Sequence, residues 1–207
     1  MKSIWTNLGV ACVSMIFGLS VARAVTLSPA SSIVLPSEAE PVGASLVTSS
    51  VINFSSLTFS GILTSKVWAN DTSNPFLGGL TFTYEISNDS GSTDPIDRLT
   101  LSSYSGFQVD ASYFGPGIVP TSAVRNPAGN QVTFDFEGLF EGTLVAGTTS
   151  PILILQTDSL VWQVSNAAVI NSSSVNVATF APLAVPEPTA AILFVASALI
   201  FGFRRKI

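Results

Sequence analysis

Leu80-Thr81-Phe82-Thr83-Tyr84-Glu85-Ile86-Ser87 alternates apolar and polar side chains without a fault. Successive side chains of a strand point to opposite faces. This stretch therefore predicts a β-strand with Leu80, Phe82, Tyr84 and Ile86 buried and with Thr81, Thr83, Glu85 and Ser87 in water. Val132-Thr133-Phe134-Asp135-Phe136-Glu137 repeats the pattern, and Leu57-Thr58-Phe59-Ser60 and Leu160-Val161-Trp162-Gln163-Val164 are looser versions of it. Ile152-Leu153-Ile154-Leu155 is apolar on both faces, which predicts a central strand covered from both sides. Turn clusters separate the runs: Asn70–Pro75, Asn88–Ser92, Asn126–Asn130 and Ala146–Thr149. Their residues tolerate positive φ or bond their own backbone. Short strands at this spacing, with no helical period between residues 45 and 180, predict an all-β domain built as a two-sheet sandwich over 45–182. No repeat of fixed period is present, which argues against solenoids and propellers.

The flanks differ in character. Residues 1–24 begin with Lys2, continue through an apolar stretch from Leu8 to Val21 and end in Ala22-Arg23-Ala24. That is the order of a secretory signal peptide, with small side chains at the two positions read by signal peptidase, so cleavage is expected after Ala24. The apolar stretch is shorter than the roughly 20 residues a spanning helix needs. Cys12 is the only cysteine, and Gly9 stands where a lipoprotein signal would carry Leu; lipidation is not expected. Residues 25–44 lack a clean period and contain Pro29, Pro36 and Pro41, so they read as an extended leader. The mature chain then has neither cysteine nor histidine. It can form no disulfide, no Cys/His zinc site and no imidazole general base.

At the other end, Val185-Pro186-Glu187-Pro188 precedes an uncharged stretch from Thr189 to Phe203 and then Arg204-Arg205-Lys206. A helix over 189–203 would measure roughly 22 Å, short of a ~30 Å hydrocarbon core. Local thinning and snorkelling of the arginines would let it cross as a single short transmembrane helix. Pro188 suits a helix start, and the basic end at 204–207 should stay cytoplasmic, leaving the β domain outside. The body between the two ends retains Lys66, Arg98 and Arg125 against 12 acidic residues, nine more negative charges than positive. A chain this acidic is unsuited to nucleic acid.

The three ordered parts at 183–207 resemble the PEP-CTERM sorting signal of exported Gram-negative bacterial proteins. The resemblance implies that Pro186, Glu187 and Pro188 are recognised by an exosortase, a membrane transpeptidase-like enzyme. It makes 189–203 the retention helix and Arg204, Arg205 and Lys206 the stop. The prolines fit that role physically, since they keep the strip out of helix and sheet. The family implies transient residence in the inner membrane, then display at the cell surface or in an extracellular matrix rich in exopolysaccharide, as in biofilms. The same tail is sometimes called an ice-binding C-terminal motif. Leu80–Ser87, Asp97–Thr100, Pro120–Arg125 and Ile154–Asp158 also have the cadence of an uncharacterised extracellular β domain that accompanies such tails. That likeness brings no activity.

Four groups in the body invite a chemical reading. Asp135 and Glu137 lie two apart on one strand with Glu141 near; carboxylates about 5–9.5 Å apart serve glycosidases, while the plainer account is a solvated strand face. Asp89, Asp94 and Asp97 crowd one loop with Asn88. They are the candidate calcium ligands, although the spacing is not that of an EF-hand and an ordinary turn explains it. Trp68, Trp162, Tyr104 and Tyr113 would suit a sugar-binding face or the core. Thr81-Phe82-Thr83 is a single Thr-x-Thr, where ice binding wants a ladder. Lys66 has no serine nucleophile at the spacing that would make it a base. The expectation is a non-enzymatic surface or matrix protein. A carbohydrate-binding module, calcium-assisted or aromatic, is the alternative, and a carboxylate glycoside hydrolase stands third.

Overall fold

A computed structural model describes residues 24–39, 41–138 and 143–184. Ala22, Glu141, Pro186, Glu187, Pro188, the 189–203 segment, Arg204, Arg205 and Lys206 lie outside the described residues. Within them the protein is all-β, with two antiparallel six-stranded sheets and no helix.

Strands are numbered along the chain. The first sheet runs β1 (Val25–Thr26), β7 (Val109–Phe114), β10 (Ile152–Thr157), β5 (Thr81–Asn88), β4 (Ser60–Ala69) and β3 (Ser45–Ser55). The second runs β12 (Ser174–Pro182), β11 (Trp162–Ile170), β6 (Arg98–Ser102), β9 (Gln131–Asp135), β8 (Ser122–Arg125) and β2 (Ser32–Ile33). The sheets form a sandwich around one apolar core. Phe82, Tyr84 and Ile86 of β5 enter it beside Leu153 and Leu155 of β10 and Leu63 and Val67 of β4. Leu99 and Leu101 of β6, Val132 and Phe134 of β9, and Ala167 and Val169 of β11 also join that core.

The eight-residue alternation decides β5 as expected, apart from the state of its outer face. Thr81 and Thr83 are 0% and 4% exposed. The loop after β4 accounts for this. Asp71 accepts a hydrogen bond from Thr81 Oγ1 at 2.7 Å, and Trp68 Nε1 donates to Thr83 Oγ1 at 2.9 Å. The apolar run at 152–155 lies in β10, between β7 and β5. Leu153 and Leu155 face the core, and Ile154 is buried on the opposite side. Leu57–Ser60 is instead the β3–β4 turn. Ser56 N donates to Phe59 O at 2.8 Å, Leu57 points into water at 97% exposure, and only Ser60 belongs to a strand. Four residues of alternation are too few to separate a strand from a tight turn that drops one aromatic, Phe59, against Phe54.

The 25–44 segment is extended, as its prolines require, and it is bound into the domain. It supplies the short edge strands β1 and β2, one to each sheet, and Leu27 and Leu35 are core residues. Pro36 O accepts from Tyr113 N at 3.1 Å, and Glu38 N donates to Tyr113 O at 2.8 Å, so the segment after β2 runs along β7.

The polar centre of the fold is Arg125 at the end of β8, 3% exposed. Its guanidinium donates to Leu27 O (3.0 Å), Tyr104 O (2.8 Å), Phe107 O (2.9 Å) and Gly129 O (3.0 Å from both Nε and Nη2). Those carbonyls come from the leader, the β6–β7 link and the β8–β9 turn. Burial pushes the guanidinium below its ordinary pKa, and the Asp158 carboxylate acts against that; an arginine remains charged through such a shift. A second buried bond crosses between the sheets: Tyr84 Oη pairs with Tyr104 Oη at 2.7 Å and donates to Phe180 O at 2.7 Å.

Arg125→Met leaves four carbonyls without their donor and should lower the free energy of unfolding by roughly 3–5 kcal/mol. Arg125→Lys keeps the charge but not the planar fork, and should recover only part of that loss. Urea unfolding of the two variants at unchanged slope measures both effects, and a variant as stable as the parent contradicts the assigned role.

Candidate functional site

At one end of the sandwich, the strand alternation and the 88–97 loop bring several carboxylates together. The register of β6 and β9 sets Arg98 opposite Asp135. Arg98 Nη2 donates to Glu137 Oε2 at 2.6 Å, and its Nε lies 3.5 Å from Asp135 Oδ2. Asp135 Oδ1 also accepts from the Glu137 backbone N–H at 2.9 Å. Both acidic residues flank one guanidinium on the opposite face from Val132, Phe134 and Phe136, all buried. Glu137 is 63% exposed. The geometry is that of a surface ion pair closing the sheet end.

Asp89, Asp94 and Asp97 are divided among different partners. Asp89 Oδ2 accepts from Ser60 Oγ (2.7 Å), Asp94 Oδ2 from Ser172 Oγ (3.2 Å) and Asp97 Oδ1 from Asn171 Nδ2 (3.4 Å). Asn88 is buried, and its Nδ2 donates to Asp94 O and Leu144 O, which makes it the pin of the loop. Among the described residues no group of three or more His, Cys, Asp or Glu side chains lies close enough to hold a metal ion. Burial raises the Asp97 carboxyl above the usual carboxylate range; Glu137, Asp135 and Asp94 push the same way, and Arg98 opposes them.

The four aromatic candidates do not share a face. Tyr104 is in the core, its ring edge-on to Phe82 at 6.5 Å. Trp162 packs edge-on against Phe180 at 5.1 Å. Tyr113 packs partly buried against the core, with its backbone carrying the leader. Trp68 alone lines an open groove on the outer face of the first sheet, with Lys66 Nζ 5.8 Å from its ring centroid and Thr64, Glu85, Ile152 and Pro41 around it.

That same face carries a polar cluster that strand alternation assigns to water. Asp71, 7% exposed, accepts at Oδ1 from Ser73 N (2.9 Å) and Ser73 Oγ (2.6 Å), and at Oδ2 from Thr81 Oγ1 (2.7 Å) and Gln156 Nε2 (3.4 Å). Ser112 Oγ donates to Glu38 Oε2 at 2.6 Å. A cavity of about 120 Å³ opens among Ala24, Ser73, Pro75, Asp110 and Gln156. Asp110 and Gln156 are 6% and 1% exposed, and Asp110 Oδ1 and Gln156 Oε1 have no hydrogen-bond partner. Burial raises the carboxyls of both Glu38 and Asp110. The sequence signal for this cluster is slight: Asp110 and Gln156 each interrupt an apolar run in a strand, but nothing local says that their face is covered.

No protein-family model matches the chain, and no characterised protein or solved structure is significantly similar to it.

A carboxyl whose folded pKa is raised binds its proton more readily folded than unfolded. Its ionisation therefore costs stability as pH rises from about 4, the unfolded value, through the folded one. Asp97→Asn should accordingly raise the urea midpoint at pH 7, and the advantage should close at pH 3.5. An advantage that is the same at both pH values, or reversed, contradicts the burial at Asp97.

Proposed function

We propose that the chain is an exported protein, sorted to the cell surface or extracellular matrix through its C-terminal tail, whose β domain acts there without catalysis. The observation that carries the reading is the order of parts after the last strand: Pro186-Glu187-Pro188, an uncharged 189–203 stretch, then Arg204-Arg205-Lys206. The geometry of the domain supports it. β12 ends at Pro182, and Leu183 N donates to Val161 O at 2.9 Å. Leu183, Val161, Leu160 and Leu77 are 37%, 37%, 70% and 102% exposed. A Cβ on Gly78 would lie 3.8 Å from Leu160, so the two loop tips adjoin. Exposed aliphatics thus gather where the chain leaves for the tail. A tether of a few residues would hold that end toward a bilayer, where such side chains cost least.

The partners on this reading are signal peptidase, an exosortase and the membrane, with exopolysaccharide as the surroundings of the released domain. Asp135 and Glu137 support the non-catalytic assignment because both are occupied by Arg98. Glu187→Ala combined with Pro188→Ala should leave unprocessed protein in the membrane fraction, whereas the parent protein should appear in the medium or matrix at lower mass. Equal distribution and mass of the two would overturn the sorting role.

A second reading, an extracellular carbohydrate-binding module, rests on the groove that presents Trp68 beside Lys66 and Glu85. On that reading a glycan array shows binding that Trp68→Ala abolishes. Arrays run with calcium and with chelator decide whether the ion assists, and no binding in either retires the module.

A further inference from the structure

Among the described residues, the lining of the cavity bounded by Ala24, Ser73, Pro75, Asp110 and Gln156 holds one carboxylate, that of Asp110, and no cation. Asp110 on β7 lines it; Asp71 on the loop after β4 accepts from Gln156, which lines it too, and Glu38 on the leader accepts from Ser112 of β7. The three cations of the body are committed elsewhere. Arg98 is bound to Asp135 and Glu137, Arg125 to backbone carbonyls, and Lys66 lies over Trp68. A buried carboxylate oxygen without a donor, here Asp110 Oδ1, costs on the order of 1–3 kcal/mol or more. Gln156 Oε1 adds a second vacant acceptor at the same cavity.

We propose that this cavity receives the α-ammonium group that cleavage after Ala24 creates on Val25. The inference rests on the export reading above. In the cleavage the Ala24–Val25 peptide bond breaks; water supplies OH to the Ala24 carbonyl and H to the Val25 nitrogen, which takes up a further proton near neutral pH. The new group forms where the acceptors are. Ala24, which precedes Val25, lines the cavity. Thr26, on the other flank, pairs with Asp110 in the ladder. Val25 stands between them and pairs with Ala111. Leu27 N donates to Val109 O, so the pair two residues on, Val25 and Ala111, is the next hydrogen-bonded one of the antiparallel ladder.

Cleavage removes the Ala24 methyl from the cavity wall. It leaves a nitrogen one residue away that keeps its ladder bond and carries two further protons and a positive charge. Among the described residues Asp110 Oδ1 has no donor before cleavage, and the new ammonium group would supply one. Removal of the signal completes the electrostatics of the fold.

The test uses the full chain in one detergent, released from a tag by a protease so that it begins at Val25 or retains residues 20–24 with Arg23→Ala. The chain beginning at Val25 should unfold at higher urea, with the unfolding equilibrium constant lower by tenfold or more, about the worth of one charge-assisted hydrogen bond. Acetylating its α-amino group, or combining Glu38→Gln with Asp110→Asn, should erase the difference. Equal midpoints in the two chains, or a difference that survives both changes, overturns the pairing. A midpoint that rises with added calcium equally in both chains assigns the cavity to a metal ion and overturns it too. N-terminal sequencing of the exported protein that finds a first residue other than Val25 overturns the inference at the cleavage step and leaves the cavity measurements intact.

Discussion

One buried guanidinium sets the conditions under which the two sheets can close. Arg125 sits on the second sheet, yet the carbonyls it binds belong to the leader beside the first sheet, to the β6–β7 link and to the β8–β9 turn. None of these carbonyls is offered to a ladder, and burying them without a donor would be costly. A side chain with five donors in a planar fork meets them at once. Gly129 contributes two of the contacts through one oxygen, and its φ of +68° is a conformation that a side chain at that position would resist. The guanidinium thus makes the leader part of the domain: Leu27 is in the core because its carbonyl is held there.

How much of this was legible depends on the range of the interactions involved. The β5, β9 and β10 strands could be read because their cause is local: side-chain alternation and apolar runs state which residues want burial, and the core obliges. The Leu57–Ser60 stretch misled because a turn that drops Phe59 inward imitates alternation over four residues. The outer face of the first sheet was hidden for a different reason. Thr81, Thr83, Asp110 and Gln156 are polar, and alternation assigns polar residues to water. What buries them is the 36–42 and 70–76 segments folding across that face. Coverage by a loop distant in sequence leaves no periodic trace. Arg125 was visible only as one of three body cations, since nothing in its neighbours announces four carbonyls contributed by chain up to 98 residues away.

The candidate sites follow the same division. Strand periodicity correctly put Asp135 and Glu137 on one face, but only the register with β6 supplies Arg98 between them. That partner changes their meaning from a pair free to act on substrate to a pair that neutralises a cation. The loop acids were grouped by sequence proximity, and the fold assigns Asp89 to β4, Asp94 to the β11–β12 turn and Asp97 to the end of β11. Proximity along a chain is a poor guide in a sandwich, whose neighbours are set by strands that arrive from far away.

Charge is the scarce resource of this domain. With three cations against 12 acids in the body of a chain that lacks histidine, each positive group is spent on a structural task, at a sheet end, at a carbonyl cluster or over an indole. Solvent screens the exposed acids at little cost. The buried oxygen Asp110 Oδ1 has no such relief, and the three cations of the body are placed elsewhere. A polypeptide has one other cation that it can place by design, the terminus made when it is cut. A protein short of basic side chains gains most from putting that terminus beside a buried acid, and on the proposed cleavage after Ala24 the edge strand that begins at Val25 would put it beside Asp110.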